Sequence, residues 1–154
     1  MIKRFWNGDR FIAYHAGDGG SIDSESLLLF MPLILGNRLP KDVQTKMVEN
    51  LTRQGRYLTE YGVSTEPLTS KRYTPDGYWR GPIWAPSTMI LTDGLDHIGQ
   101  RKLADRLRKA FCRMAQEHGM SENFDPLTGD GLRDPAYTWT SSVYLIFANQ
   151  LYSE

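Results

Sequence analysis

Two stretches of the sequence gather the residue types that hold a sugar. Between Tyr57 and Trp84 lie Tyr57, Tyr61, Tyr73, Tyr78, Trp79 and Trp84, with Arg80 set inside the run Tyr78-Trp79-Arg80-Gly81-Pro82-Ile83-Trp84. Further on, Ser121-Glu122-Asn123-Phe124-Asp125-Pro126-Leu127-Thr128-Gly129-Asp130-Gly131 precedes Tyr137-Thr138-Trp139. A pyranose offers C–H faces that pack on aromatic rings, and hydroxyls that need charged or polar hydrogen-bond partners. Rings, an arginine and carboxylates brought to one place supply both. Singly these residues say less. Trp84 and Trp139 stand at helix starts and read equally well as core anchors, while Pro126, Gly129 and Gly131 read as turn residues.

Whether the two stretches meet depends on the elements between them. Five segments carry a helical period. Leu27, Leu28, Met31 and Leu35 line one face of the first, with Pro32 placed to kink it. Val43, Met47, Val48 and Leu51 line the second, which starts near Pro40 and ends near Gly55. Ile90, Leu91, Leu95 and Ile98 mark the third, introduced by Pro86 and closed by Gly99. Leu103, Leu107, Ala110, Phe111 and Met114 mark the fourth, stopped by Gly119, and Trp139, Val143, Ile146, Phe147 and Gln150 the fifth. No alternating run is long enough for a central strand, so the predicted class is all-α, about five helices in one domain over residues 1–154.

The connections are uneven. A few residues around Gly36-Asn37 join the first two helices, and little more than Gly99 joins the third and fourth. Such links make antiparallel neighbours. About 30 residues separate the second helix from the third, and nearly 20 the fourth from the fifth. With helices alternating in direction, both long loops emerge on one face, together with the segment before the first helix. Long ordered loops in a compact domain are usually functional.

Composition removes several classes. Eighteen basic residues balance eighteen acidic ones, and no basic cluster has the footprint of a nucleic-acid binder. The run Arg101-Lys102 and Arg106-Leu107-Arg108-Lys109 lies within a helical pattern and reads as a solvated helix face. No segment approaches the roughly 18 apolar residues that span a membrane. Met1 to Phe11 carries four charged side chains and no apolar core, so it is not a signal peptide. If Met1 is the natural start, that favours the cytoplasm. The single Cys112 excludes an internal disulfide and a cysteine metal site, and as a buried small hydrophobe it has no nucleophile's partner nearby. His15, His97 and His118 are scattered, the last two reading as helix-end residues. No cofactor or metal is expected.

Gly77-Tyr78-Trp79-Arg80-Gly81-Pro82-Ile83-Trp84, followed by Glu122-Asn123-Phe124-Asp125-Pro126-Leu127-Thr128-Gly129 and Tyr137-Thr138-Trp139-Thr140, closely resembles the C-terminal half of glycoside hydrolase family 63. That family includes processing α-glucosidases and mannosylglycerate hydrolases and is related to trehalases. Pro32-Leu33-Ile34-Leu35-Gly36 and Gly62-Val63-Ser64-Thr65 also look like its landmarks, so the resemblance covers nearly the whole chain. It implies part of an (α/α)₆ barrel and an inverting, α-glucosidase-like hydrolysis of an α-linked oligosaccharide or small glycoside.

Position by position, the resemblance makes Glu122 the general base. It puts Trp79 and Arg80 in the lining of the sugar pocket, Tyr78 and Trp84 in support of them, and Trp139 at the pocket floor. The family's general acid is an aspartate far upstream, before this chain begins. Asp18 and Asp23 lie on the expected face but match no acid motif. The chain is therefore expected to be an incomplete enzyme. Half a toroid also leaves apolar positions such as Leu28, Ile90 and Ile146 uncovered, which calls for the missing N-terminal half or a second copy. Two other readings stand beside this one. One is a non-catalytic carbohydrate-binding remnant. The other is an epimerase or lyase on a similar toroid, which needs a histidine in the pocket.

Overall fold

A computed structural model describes residues 2–152. A short helix α1 (Ile2–Phe5) and the two-stranded ladder β1 (Ala13–Tyr14) with β2 (Ser21–Ile22) precede a 3₁₀ segment, Leu27–Arg38. Then come α2 (Lys41–Thr52), α3 (Ala85–His97), α4 (Arg101–His118), β3 (Asn123–Phe124), β4 (Gly131–Leu132) and α5 (Thr138–Tyr152). Helices dominate, as the periodicity predicts. The two ladders are antiparallel, pairing Ala13 with Ile22 and Asn123 with Leu132, and both lie in segments read from sequence as loops.

The first predicted helix differs from its expectation. Pro32 has no amide to donate, and its ring crowds the carbonyl one turn back, so the α ladder cannot run through it. The segment winds as 3₁₀ instead, where residues three apart share a face. Leu27, Phe30, Leu33 and Gly36 are the buried set, rather than Leu27, Leu28, Met31 and Leu35. Gly36, at φ 53°, breaks the segment where its backbone meets His97.

The other helices behave as their patterns require. Val43, Met47 and Leu51 of α2, Leu91 and Leu95 of α3, and Leu107, Phe111 and Met114 of α4 are buried. Val143 and Phe147 of α5 join them. Pro40 and Pro86 stand at the starts of α2 and α3, and Gly119 directly follows α4. His97 and His118 are the last residues of α3 and α4. α3 is the hub, packing on the 3₁₀ segment, α4 and α5. Gly94 makes that packing possible, because a Cβ there would sit 2.7 Å from the carbonyl carbon of Leu33.

The core has two parts. Phe11, the 3₁₀ segment, α2 and parts of α3 and α4 bury one cluster. Ile83, Phe111, Cys112, Met114, Phe124, Val143 and Phe147 form the other, under the second pair of loops. Leu28 is 54% exposed, Ile90 37% and Ile146 43%. These three positions are thus among the exposed large apolar side chains of the described residues. No helix of the described residues is long and apolar enough to cross a membrane.

The basic run of α4 is a correction to the sequence reading. Arg101, Lys102, Arg106 and Lys109 are exposed, but Arg108 is only 1% exposed. Three carboxylates draw it inward: Asp96 at 2.5 Å, Asp105 at 3.2 Å and Asp93 at 3.6 Å. Its guanidinium carbon lies 5.8 Å from the Phe147 ring centroid. A buried charge is tolerated only when paired, and the pairs come from α3 as well as α4.

Candidate active site

The long connections 53–84 and 119–137 are tied together by backbone. Ile83 N–H donates to the Phe124 carbonyl at 2.8 Å, and Phe124 N–H to the Ile83 carbonyl at 3.1 Å. Both side chains are fully buried in the second core cluster. That bridge sets Trp84, one residue on, against Glu122 and Asn123, two residues and one residue back. The segment before the 3₁₀ helix reaches the same end of the molecule. Leu27 N–H donates to the Thr65 carbonyl at 2.8 Å, and Tyr57 Oη to the Glu25 carbonyl at 2.5 Å.

The aromatic residues converge there. Trp84 is fully buried and stacks on Trp79 with centroids 4.2 Å apart and planes 7° apart. Tyr78 meets Trp84 edge-on at 4.7 Å, and Trp139 does so at 5.3 Å. Trp84 Nε1 donates to the Tyr78 carbonyl at 2.8 Å. So Trp84 is a fully buried anchor around which Tyr78, Trp79 and Trp139 gather. Trp139 is half-buried and Trp79 partly exposed.

Glu122 sits beside this cluster with its backbone fixed on both sides. Its N–H donates to the Asp134 carbonyl at 2.7 Å, and its carbonyl accepts from Trp139 Nε1 at 3.3 Å. Thr140 Oγ1 donates to the Ser121 carbonyl at 2.7 Å. The turn beyond is shaped by Asp125, whose Oδ1 accepts from the amides of Leu127 at 2.7 Å and Thr128 at 3.2 Å. What remains free to act is the carboxylate. Tyr78 Oη donates to Glu122 Oε1 at 3.2 Å. Desolvation, then that hydrogen bond and the Glu122 charge, raise the Tyr78 phenol above its ordinary value of 10.0, with Arg133 pulling the other way. The phenol therefore stays a donor through neutral pH.

Arg80 is exposed; its backbone is pinned by Thr74 N–H to its carbonyl at 2.8 Å and by its own N–H to the Gly77 carbonyl at 3.1 Å. Its guanidinium has no hydrogen-bond or ion-pair partner among the described residues. The structure thus joins Tyr78, Trp79, Trp84, Trp139 and Glu122 in one cluster, with Arg80 at its edge through the backbone alone. Asp18 and Asp23 are engaged elsewhere. Asp18 accepts from the Gly20 amide at 2.9 Å, and Asp23 pairs with Arg10 at 3.3 Å. The pocket-histidine reading finds no support, since His118 stands 3.5 Å from Asp130 and edge-on to Tyr61. No group of three or more potential ligands that could hold a metal occurs among the described residues.

One residue of the site escapes sequence reasoning. Arg133 ion-pairs with Asp76, and its guanidinium carbon lies 5.0 Å from the Tyr78 ring centroid. Tyr78 and Arg133, at φ 61° and 64°, are the two non-glycine residues with positive φ among the described residues. Such a backbone costs about 1–3 kcal/mol at each position and persists only where surroundings impose it. A positive φ leaves no mark in residue type when the residue is Tyr or Arg.

Residues 1–140 match the family described as the mannosylglycerate hydrolase MGH1-like glycoside hydrolase domain. Among sequence relatives, a mannosylglycerate hydrolase of Rubrobacter radiotolerans is 43% identical over 68 residues, which are 44% of this chain and 15% of that protein. A glucosylglycerate hydrolase of Mycolicibacterium hassiacum is 31% identical over 127 residues, 79% of this chain and 28% of that one. A glycoside hydrolase family 63 mannosylglycerate hydrolase of Thermus thermophilus, solved with glucose, superposes with a TM-score of 0.81 at 22% identity. The match covers 94% of this chain and 37% of that one. The chain therefore spans less than a third of the length of the sequence relatives it matches. Its fold is that of part of an (α/α)₆ barrel.

Proposed function

The chain belongs to the mannosylglycerate hydrolase MGH1-like family of glycoside hydrolase domains, and on that premise we propose that it is the C-terminal, base-bearing portion of an inverting glycosidase. Its relatives are glycoside hydrolases. The observation that carries the finer reading is Glu122, held by backbone on both sides, with a carboxylate that meets the Tyr78 hydroxyl beside the Trp79–Trp84–Trp139 cluster.

An inverting hydrolysis needs a carboxylate to take a proton from water, roughly 6.5–9.5 Å from an acid that protonates the leaving oxygen. Glu122 takes that proton while the water oxygen bonds to the anomeric carbon and the glycosidic C–O bond breaks. Tyr78 holds one carboxylate oxygen by hydrogen bond and leaves the other for the water. The exposed face of Trp79 packs on the C–H side of the ring, and Arg80 serves the hydroxyls or an acidic aglycone. The general acid comes from the remainder of the barrel, which also covers Leu28, Ile90 and Ile146; a second copy of this chain is the alternative cover. The substrate is an α-linked glucoside or mannoside, either an oligosaccharide or a small glycoside of the glycerate kind named by the relatives.

The test compares the purified chain with Glu122→Gln on mannosylglycerate, glucosylglycerate and an α-glycosyl fluoride, following the anomer formed by proton NMR. Without its acid the chain loses a factor of about 10²–10⁴ on natural glycosides. The fluoride, whose leaving group needs no proton, should react slowly with inversion and fail with Glu122→Gln. Brisk turnover of a natural glycoside that Glu122→Gln abolishes would place an acid within this chain, with Asp18 and Asp23 the first to replace. Sugar binding by tryptophan fluorescence with an inert fluoride would instead favour the carbohydrate-binding remnant.

A further inference from the structure

We infer that Arg133 is a positioning residue for Glu122, acting through the ring of Tyr78; the inference rests on the reading of Glu122 as the base. Arg133 comes from the 119–137 connection and Tyr78 from the 53–84 connection, and each holds a backbone conformation that neither residue type favours. Their side chains meet: the guanidinium covers the Tyr78 ring, its carbon 5.0 Å from the centroid. The same group pairs with the Asp76 carboxylate, lies 3.5 Å from the Asp76 carbonyl oxygen and lies 3.5 Å from Asn123 Oδ1. Asp76 is two residues before Tyr78, and Asn123 adjoins Glu122. One guanidinium therefore grips both flanks of the Tyr78–Glu122 hydrogen bond.

The geometry needs arginine's planar fork, which can pair, stack and donate at once, where an ammonium acts as a point. It also explains what holds Tyr78. The residue is 43% exposed and its ring meets Trp84 only by an edge, so packing alone leaves its outer side open. Arg133 closes that side. Asp76 neutralises the guanidinium, so the grip adds no net positive charge beside Glu122. Asn123 is fully buried with an unpartnered Nδ2, and its Oδ1 faces Arg133; the arginine thereby orients the residue next to the base as well.

The titration of Tyr78 separates positioning from proximity. It is read as the ultraviolet absorbance difference between the chain and its Tyr78→Phe variant, with circular dichroism confirming the fold of each protein. Glu122 and desolvation raise the phenol, whereas the Arg133 charge lowers it. If Arg133 were only a neighbouring charge, Arg133→Gln would push the phenol higher still. If Arg133 holds the ring against Glu122, Arg133→Gln frees it, and the phenol falls toward the ordinary value of about 10. A fall is expected; a rise or no change would overturn the inference. Arg133→Lys keeps the charge without the fork and should also fall, whereas a wild-type titration with lysine would overturn the inference. Should Arg133→Gln not fold, Arg133→Lys decides alone, since it keeps the charge and removes only the fork. Because no turnover is involved, a fall together with a Glu122→Gln chain that still hydrolyses the fluoride would keep the positioning and remove the base.

Discussion

Two arginines, one in a seam between helices and one in a seam between loops, show how one residue type serves two ends. Arg108 lies in the α3–α4 seam, 1% exposed, in ordinary helical backbone, among three aspartates and over Phe147. Arg133 lies in the loop seam, its side chain 30% exposed, in left-handed backbone, paired with Asp76 and over Tyr78. The contact types are the same: carboxylate pairing and a cation over a ring. Burial separates them. In the helical seam the charge has no water to fall back on, so its pairs are obligatory to the fold. In the loop seam water competes for every contact, so the pairs contribute little stability and their use is orientation.

The comparison is broken most directly at Arg108. Arg108→Ala should destabilise the chain by about 3 kcal/mol in urea unfolding. That is the low end for a broken buried pair, because the three aspartates left behind are themselves a quarter or more exposed. A change under about 1 kcal/mol would show that the burial is not obligatory. Gly94→Ala comes next, since its methyl would meet the Leu33 backbone at 2.7 Å. Overpacking of this kind costs about 1–3 kcal/mol, and thermal melting reads it; an unchanged Tm would mean that the 3₁₀ segment shifts freely on α3.

Arg133→Gln sharpens the contrast from the other side. An exposed ion pair and an exposed cation–π contact together account for about 1 kcal/mol or less, so urea unfolding should barely move while the Tyr78 titration does. A loss near that of Arg108→Ala would erase the distinction between the seams.

A last effect is a pH slope set by buried titratable groups. Burial pushes the Cys112 thiol from its ordinary 9.0 up to about 11. The folded chain therefore holds a proton that the unfolded chain releases between those values. Stability is full below about pH 9 and falls as pH rises toward 11, by at most about 1.4 kcal/mol per pH unit. Burial raises Tyr57 further, adding to the loss above about pH 10. Unfolding at about pH 8 and about pH 10.5 should show Cys112→Ala with the shallower decline. Equal slopes would show that the thiol reaches water in the folded state.

Much of the fold was legible because apolar spacing and proline or glycine boundaries act locally. The limits of α2, α3, α4 and α5 follow from Pro40, Pro86, Gly119 and the periodic leucines and aromatics. The first helix was misread in its face because a single Pro32 shifts the repeat from 3.6 to three residues, and the leucines around it satisfy either. Arg108 was misread because the carboxylates that receive it are two on another helix and one on its own. Glu122, Tyr78, Trp79, Trp84 and Trp139 were legible as a group through their motif, Arg80 joins them by its backbone alone, and Arg133 and Asp76, in ordinary turn-like surroundings, were not legible.

By itself the sequence determined which aromatic, arginine and carboxylate side chains the long connections carry, and that these connections are long and helix-bounded, since both are properties of residue order. Tertiary structure alone decided which of them touch. The Ile83–Phe124 bridge brings the motifs together, Trp84 is buried beneath Tyr78, Trp79 and Trp139, and Arg133 reaches Tyr78 across the gap between two loops. Contacts between distant segments depend on backbone angles and burial, which are set by the whole packed chain; residue type records them only where glycine or proline is required.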